Sequence, residues 1–396
     1  MWNTYVFMKF SKYSDKEFMR TFIHIIGKGS KDADYKFALA RFLLEYSEND
    51  TKIHVEFSTI AKYFIKYFWP QVCRSKLKHN PHGVKEPVIV QSIKKEFDKP
   101  PYPQTYDKIL KEQRDKIKKC IEDISNPASI LFAFNDVTYA FQHIKVGRGI
   151  KNIQPIFFDY KIERYRKLSD RKRLRSIIDK NYGIDINPNA LEFFKKFNVA
   201  LQKIVILEWA RLLEKFNVGV PKIIDKTEGL KPKRQNLTKY KKALEPFFEN
   251  CFYCRRNLKK LKHELKIRTD VEHVIPWDYI GEDEIWNLTL ACQKCNCRKL
   301  GSLPPRKFLD DKLFERNNQI LLMFYNSQRK GLENQPMYKF REKITKLGKM
   351  MSTSLNNLGP TRERQEEIIK ERFTKAEEQG YTQISITEII QDSHPC

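Results

Sequence analysis

Apolar positions recur every three to four residues over Glu17 to Ile26, Tyr35 to Tyr46 and Phe57 to Phe68, the spacing that turns one face of a helix toward a core. Gly27, Gly29, Pro81 and Gly83 punctuate these segments, and Thr59 sits where a short helix can begin. Residues 1–125 therefore read as a helical domain, small or winged-helix-like. Pro100, Pro101 and Pro103 interrupt it before a polar helix predicted over Thr105 to Ile124. The best-defined helix runs from Asn187 to Phe216. Asn187 suits the cap, Pro188 suits the first turn, and Leu191, Phe194, Leu201, Leu212 and Phe216 follow at helical spacing. It belongs to a helical middle domain, 126–245, which ends in a basic connector carrying Lys231, Lys233, Arg234, Lys239, Lys241 and Lys242. Pro304 and Pro305 mark a further break, and 306–396 read as helical, notably Leu313 to Tyr325 and Arg362 to Glu378.

Between the connector and Pro304 the pattern changes. Val271, Val274 and Ile275 favour a short strand that Pro276 ends, and the Leu- and Thr-rich stretch after Trp286 pairs back as a hairpin. The expected fold is mainly α, with a small α+β module at 246–305.

Charge narrows the partners. Lys and Arg number 75 against 49 acidic residues, a formal net charge of +26. Such an excess repels itself unless a polyanion balances it, and nucleic acid is the commonest one. The run Lys161, Arg164, Arg166, Lys167, Arg171, Lys172, Arg173 and Arg175 suits either a phosphate backbone or the wet face of a helix. No stretch approaches the roughly 18–20 apolar residues of a membrane span, and Met1 to Lys16 lacks a secretion-signal layout. The expectation is a soluble, cytoplasmic protein with no membrane partner.

Five of the eight cysteines, Cys251, Cys254, Cys292, Cys295 and Cys297, crowd this module. Two C-x-x-C units, 251–254 and 292–295, can each turn two thiolates to one side, and together they complete a four-sulfur zinc site. That zinc is read as structural, with Cys297 a bystander and His263 a less favoured ligand. The acidic loop Glu282 to Glu284 reads as a solvated turn. Gly147-Arg-Gly149 is a turn and not a nucleotide loop, because the lysine and hydroxyl pattern is missing. No serine or cysteine nucleophile elbow is found.

Inside the gap stand Asp270-Val-Glu272-His273-Val-Ile-Pro276, then Asn287-Leu-Thr-Leu-Ala-Cys292, then Cys295-Asn296-Cys-Arg-Lys299. This order resembles the HNH, or ββα-metal, nuclease family. His273, Asn287 and Asn296 match the three signature positions, 14 and then 9 residues apart. Tyr35-Lys-Phe-Ala-Leu-Ala-Arg-Phe-Leu-Leu and Phe68-Trp-Pro-Gln are also similar to the N-terminal region of some large bacterial HNH proteins.

The resemblance implies a phosphodiester hydrolase. His273 would be the general base, Glu272 and Asn296 ligands of a catalytic Mg²⁺ or Mn²⁺, and Asn287 the brace that orients His273. A neutral imidazole suits the first role and hard oxygen donors suit the second. The family usually has Asp where Glu272 stands, while Asp270 is a lesser candidate. Arg255, Arg256, Lys259, Lys260 and Lys299 surround the site and would meet phosphate, as would Lys262, Lys266 and Arg268. The implied substrate is DNA, cut to leave 5′-phosphate ends in restriction or antiviral defence. RNA cleavage and a non-catalytic zinc-scaffold binder are the alternatives, and a second copy or a regulatory protein is a candidate partner.

Overall fold

The computed structural model describes residues 10, 12–28, 34–50, 52–80, 85–97, 106–125, 143–145, 153–159, 183–230, 236–328 and 338–391. The basic run at 161–175, Gly147 to Gly149 and the connector residues Lys231, Lys233 and Arg234 lie outside them. The chain divides into two compact units, Met1–Val218 with Ile223–Leu230, and Gly219–Lys222 with Lys231–Cys396.

Unit 1 carries α1 (Asp15–Lys28), α2 (Tyr35–Asn49), β1 (His54–Glu56), α3 (Phe57–Trp69), α4 (Val88–Phe97), α5 (Tyr106–Glu112), α6 (Arg114–Ser125), β2 (His143–Lys145), β3 (Ile153–Pro155), β4 (Phe158–Asp159), β5 (Gly183–Ile186), α7 (Pro188–Phe216) and α8 (Ile223–Glu228). The helix expected over 105–124 is two helices, interrupted at Gln113, and each buries its own apolar residues: Ile109 in α5, and Ile117, Cys120 and Ile124 in α6. Asn187 caps α7, its side chain accepting from the Asn189 N–H at 3.0 Å. One apolar face of α7 then packs along α2, where Trp209 stacks on Phe37 with ring centroids 6.2 Å apart.

A sheet of order β1-β5-β4 completes the unit. Gly183 of β5 lies so close to β1 that an added Cβ would meet the Val55 carbonyl at 2.0 Å, so only glycine fits there. One unit thus spans both sides of the boundary expected at 125/126, because β1 needs β5 and α2 needs α7 to bury their apolar faces.

Unit 2 carries α9 (Thr238–Leu244), α10 (Leu258–Leu265), β6 (Thr269–His273), α11 (Trp277–Ile280), a 3₁₀ turn at Ile285–Asn287, β7 (Leu288–Cys292), α12 (Gln293–Lys299), α13 (Glu315–Ser327), α14 (Tyr338–Asn356), α15 (Arg362–Glu378) and α16 (Ile386–Ile390). β6 and β7 pair antiparallel, with His273 opposite Leu288 and Thr269 opposite Cys292. Every residue of β7 is buried, so this ribbon needs cover on both faces. The C-terminal helices help supply it: Leu313, Met351 and Phe373 share one core with Trp286, Leu288 and Cys295. The predicted break at Pro304 is therefore a turn within one core. Among the described residues, no helix is long and apolar enough to cross a membrane. The architecture is mainly α with a small α+β module.

Arg316 of α13 ties the 3₁₀ turn down. Fully buried, it donates to the carbonyls of Leu288, Ile285 (3.3 Å) and Trp286 (2.7 Å). Burial pushes its pKa down to about 9, so it stays protonated at neutral pH. Arg316→Met fills similar space but orphans these carbonyls, and it should cost about 3 kcal/mol or more of stability. Urea unfolding checks this, and an unchanged midpoint would refute the staple.

Candidate active site and zinc centre

The first knuckle closes because Arg255 adopts a left-handed conformation (φ 62°). Its N–H then reaches the Cys251 carbonyl at 3.0 Å, and the Cys251 N–H reaches the Arg256 carbonyl at 2.9 Å. The second knuckle is built where β7 runs into α12, with Cys292 at the helix cap and Cys295 in its first turn. All four Sγ atoms lie within 4.8 Å of one another, and Cys254 and Cys292 are 3.9 Å apart. Tetrahedral zinc with Zn–S bonds of about 2.3 Å requires sulfurs about 3.8 Å apart, so the cluster fits zinc. The thiols share protons unevenly. Hydrogen bonding with Cys251 lowers the pKa of Cys254 and takes Cys292 to about 7, whereas Cys251 is pushed up by Cys254, and Cys295 by Cys251. A dication that displaces those protons would resolve the competition. Cys297 and His263 stand outside the cluster.

β6 and α12 form the next layer. Asp270 and Glu272, two residues apart on a strand, project from one face of β6 toward α12, where Asn296 and Lys299 are one turn apart. Asn296 donates to Asp270 at 3.1 Å, and Arg268 Nε lies 2.9 Å from the other Asp270 oxygen. Lys299 Nζ donates to Glu272 at 2.7 Å and to the His273 carbonyl at 2.9 Å, while the Tyr253 hydroxyl donates to Glu272 at 2.7 Å.

Two expectations change here. Lys299 is fully buried and holds the module together, so it does not reach a phosphate. Glu272 is buried with both oxygens engaged by partners that are themselves buried, the Lys299 ammonium and the Tyr253 hydroxyl, so a dication has no route to it. The carboxylate that meets Asn296 is Asp270, half-buried, and its other oxygen pairs with the exposed Arg268, which can swing away into solvent.

Asn287 is fully buried. Its side chain accepts from the Ile275 N–H and donates to the Ile275 carbonyl, both at 2.8 Å, while its own carbonyl accepts from Val274 at 2.9 Å. These bonds pin the chain directly after His273. The His273 Nε2 lies 2.9 Å from Asp283 Oδ1. The loop read as a solvated turn is instead held by its partners: Glu282 pairs with Lys222 at 3.1 Å, and Glu284 accepts from Ser354. Asp283 was not foreseen because its reach depends on how the loop folds. Tyr253, hidden within a C-x-x-C unit, was missed for the same reason.

Arg255, Lys259, Lys260, Lys262, Lys266 and Arg268 are exposed and Arg256 is half-buried. Lys259 is paired with Glu249 at 2.8 Å, an exposed contact that a polyanion can displace at little cost.

Residues 251–305 match the family model described as HNH endonuclease, and residues 16–227 match the one described as Domain of unknown function (DUF8808). The curated proteins and the solved structures gave no match. The second of these family models covers more than half of the chain, which therefore belongs to the DUF8808 family and carries an HNH endonuclease domain behind the DUF8808 region.

Proposed function

We propose that this protein is a metal-dependent endonuclease that hydrolyses DNA phosphodiesters. The observation that carries the reading is the Asp270–Asn296 contact, built on the same hairpin and helix that hold His273. A half-buried carboxylate and a half-buried amide side by side carry the hard oxygen atoms, a carboxylate oxygen and the Asn296 Oδ1, that Mg²⁺ or Mn²⁺ takes. Asp270 and Asn296 would hold that ion. When bound, it would polarise the phosphate and offset charge on the leaving oxygen.

The remaining steps belong to the chain. His273 takes a proton from a water, the water's oxygen bonds to phosphorus, and the bond to the leaving oxygen breaks. The leaving oxygen is then protonated from solvent. Asn287 fixes the backbone that presents His273. Glu272, Lys299 and Tyr253 brace that segment from behind. Arg255, Arg256, Lys259 and Lys260 draw the strand in by its phosphates. The order β1-β5-β4, with β1 set between α2 and α3, supports reading unit 1 as a winged-helix-like, substrate-selecting part. A role in restriction or antiviral defence rests on the family resemblance alone.

Plasmid, linear DNA and RNA, each with Mg²⁺, Mn²⁺ or EDTA, test the reading. DNA should be nicked or cut only with the divalent ion. Cleavage of RNA alone would correct the substrate, and undiminished cleavage in EDTA would overturn the mechanism. Mn²⁺ binding followed by electron paramagnetic resonance locates the ion. Asp270→Ala and Asn296→Ala should each weaken binding about tenfold or more, since each removes a direct ligand. Glu272→Gln should lose stability while keeping Mn²⁺ affinity. The reverse ranking would return the ion to Glu272.

A further inference from the structure

The imidazole of His273 and the carboxylate of Asp283 form a sheltered pair, 2.9 Å apart, with side chains only 10% and 6% exposed. The carboxylate faces Nε2. Among the described residues Nδ1 has no hydrogen-bond partner, and it is not one of the polar atoms sealed from solvent without one. The two ring nitrogens therefore stand in opposite surroundings. An ionised carboxylate can only accept, so in a neutral ring the nitrogen facing it carries the hydrogen and the other keeps its lone pair.

We propose that Asp283 is a positioning residue that fixes His273 as the Nε2–H tautomer and leaves Nδ1 as the atom that takes the proton from water. The assignment rests on the reading of His273 as the general base.

Asp283 is held in place from several sides. Gly281 ends α11 in a left-handed conformation (φ 71°), which turns the chain sharply into the loop. Lys222 then fastens Glu282, Ser354 fastens Glu284, and the half-buried Arg372 guanidinium acts electrostatically on Glu282 and Glu284. A carboxylate anchored this way can orient a ring without itself moving.

As the reaction proceeds, the Nδ1 lone pair accepts the proton while the water's oxygen bonds to phosphorus and the bond to the leaving oxygen breaks. The ring becomes an imidazolium, whose charge Asp283 offsets until the Nδ1 proton passes to solvent. A carboxylate behind a catalytic imidazole performs this dual task of orientation and charge support in other hydrolytic sites.

The test is the tautomer itself, read from long-range ¹H–¹⁵N correlations of the histidine rings in the zinc-loaded full chain. His273 is assigned by the signals lost in His273→Gln. The expected pattern for the wild type is a protonated Nε2 and an unprotonated Nδ1. Asp283→Asn keeps the side chain's shape but can present an N–H to Nε2, which drives the ring hydrogen to Nδ1. That variant should show the altered pattern and a kcat lower by about a hundredfold or more. Its KM, Mn²⁺ affinity and zinc content should match the wild type, and Asp283→Glu should restore part of the rate.

A wild-type ring protonated on Nδ1 overturns the proposal, whatever the variants do. So does an Asp283→Asn variant with unchanged tautomer and rate. A wild-type ring in the expected tautomer, with no cleavage of any nucleic acid, would support the Asp283 assignment and overturn the nuclease reading instead.

Discussion

Replacing His273 with alanine should lower the cleavage rate by about a hundredfold to ten-thousandfold, the range expected when a positioned general base is removed. The loss should fall on kcat. The His273 side chain bonds to Asp283, while its backbone carbonyl, which alanine retains, continues to accept from Lys299. The backbone is also held independently, by pairing with Leu288 and by the Asn287 bonds to Val274 and Ile275. His273→Ala should therefore keep its zinc and its affinity for DNA. Single-turnover cleavage of a labelled duplex at saturating Mg²⁺ gives the rate, and filter binding without the ion gives the affinity. A mutant that cuts at the wild-type rate would remove His273 from the chemistry. A mutant that merely binds DNA less well would make it a contact residue.

Asn287→Ala should behave differently, because it acts through another group. Two buried hydrogen bonds to Ile275 are lost along with the geometry they impose, so stability and rate fall together.

The reach of the sequence differed between layers of the molecule. Long amphipathic helices were legible from periodicity alone. Asn187 and Pro188 announce the start of α7, and Arg362 to Glu378 is a helix with those bounds. The four-cysteine cluster was legible too, because a C-x-x-C turn fixes the sulfurs locally and one partner knuckle was available. What the sequence did not carry is the choice among neighbouring polar side chains. Asp270 and Glu272 share one face of β6, and nothing in their spacing says which will meet Asn296. The decision falls to Lys299 and Tyr253, which arrive from the far end of α12 and from the first knuckle. Asp283 is a similar case, since nine residues, α11 among them, separate it from His273. Nor does periodicity tell whether helices distant in the chain share a core. The fully buried β7 made that necessary for unit 2, but a strand of five residues does not name its cover.

Removing zinc should unfold the ββα module and abolish cleavage even when Mg²⁺ is abundant. Structural zinc supplies an apparent binding free energy of about 10–16 kcal/mol in small modules, comparable to the whole stability of an ordinary domain. In unit 2 the sulfurs are part of the core itself. Cys251 and Cys295 are fully buried and Cys292 nearly so, packed in one cluster with Tyr253, Leu290 and Leu313. The consequences extend to the active site, because Tyr253 bonds Glu272, and Glu272 holds the lysine that braces the His273 carbonyl. Metal analysis should find one zinc per chain. Cys251→Ser or Cys295→Ser should lose it, expose unit 2 to proteolysis and leave unit 1 folded, since among the described residues unit 1 has no metal-binding cluster. A chelator alone cannot separate the two ions, so the deciding arm adds Mg²⁺ back to chelated protein. If activity returns with Mg²⁺ and no zinc, the knuckles are not needed to hold the site. If it returns only after zinc is restored first, the four thiolates set the frame on which Asp270, Asn296 and His273 depend.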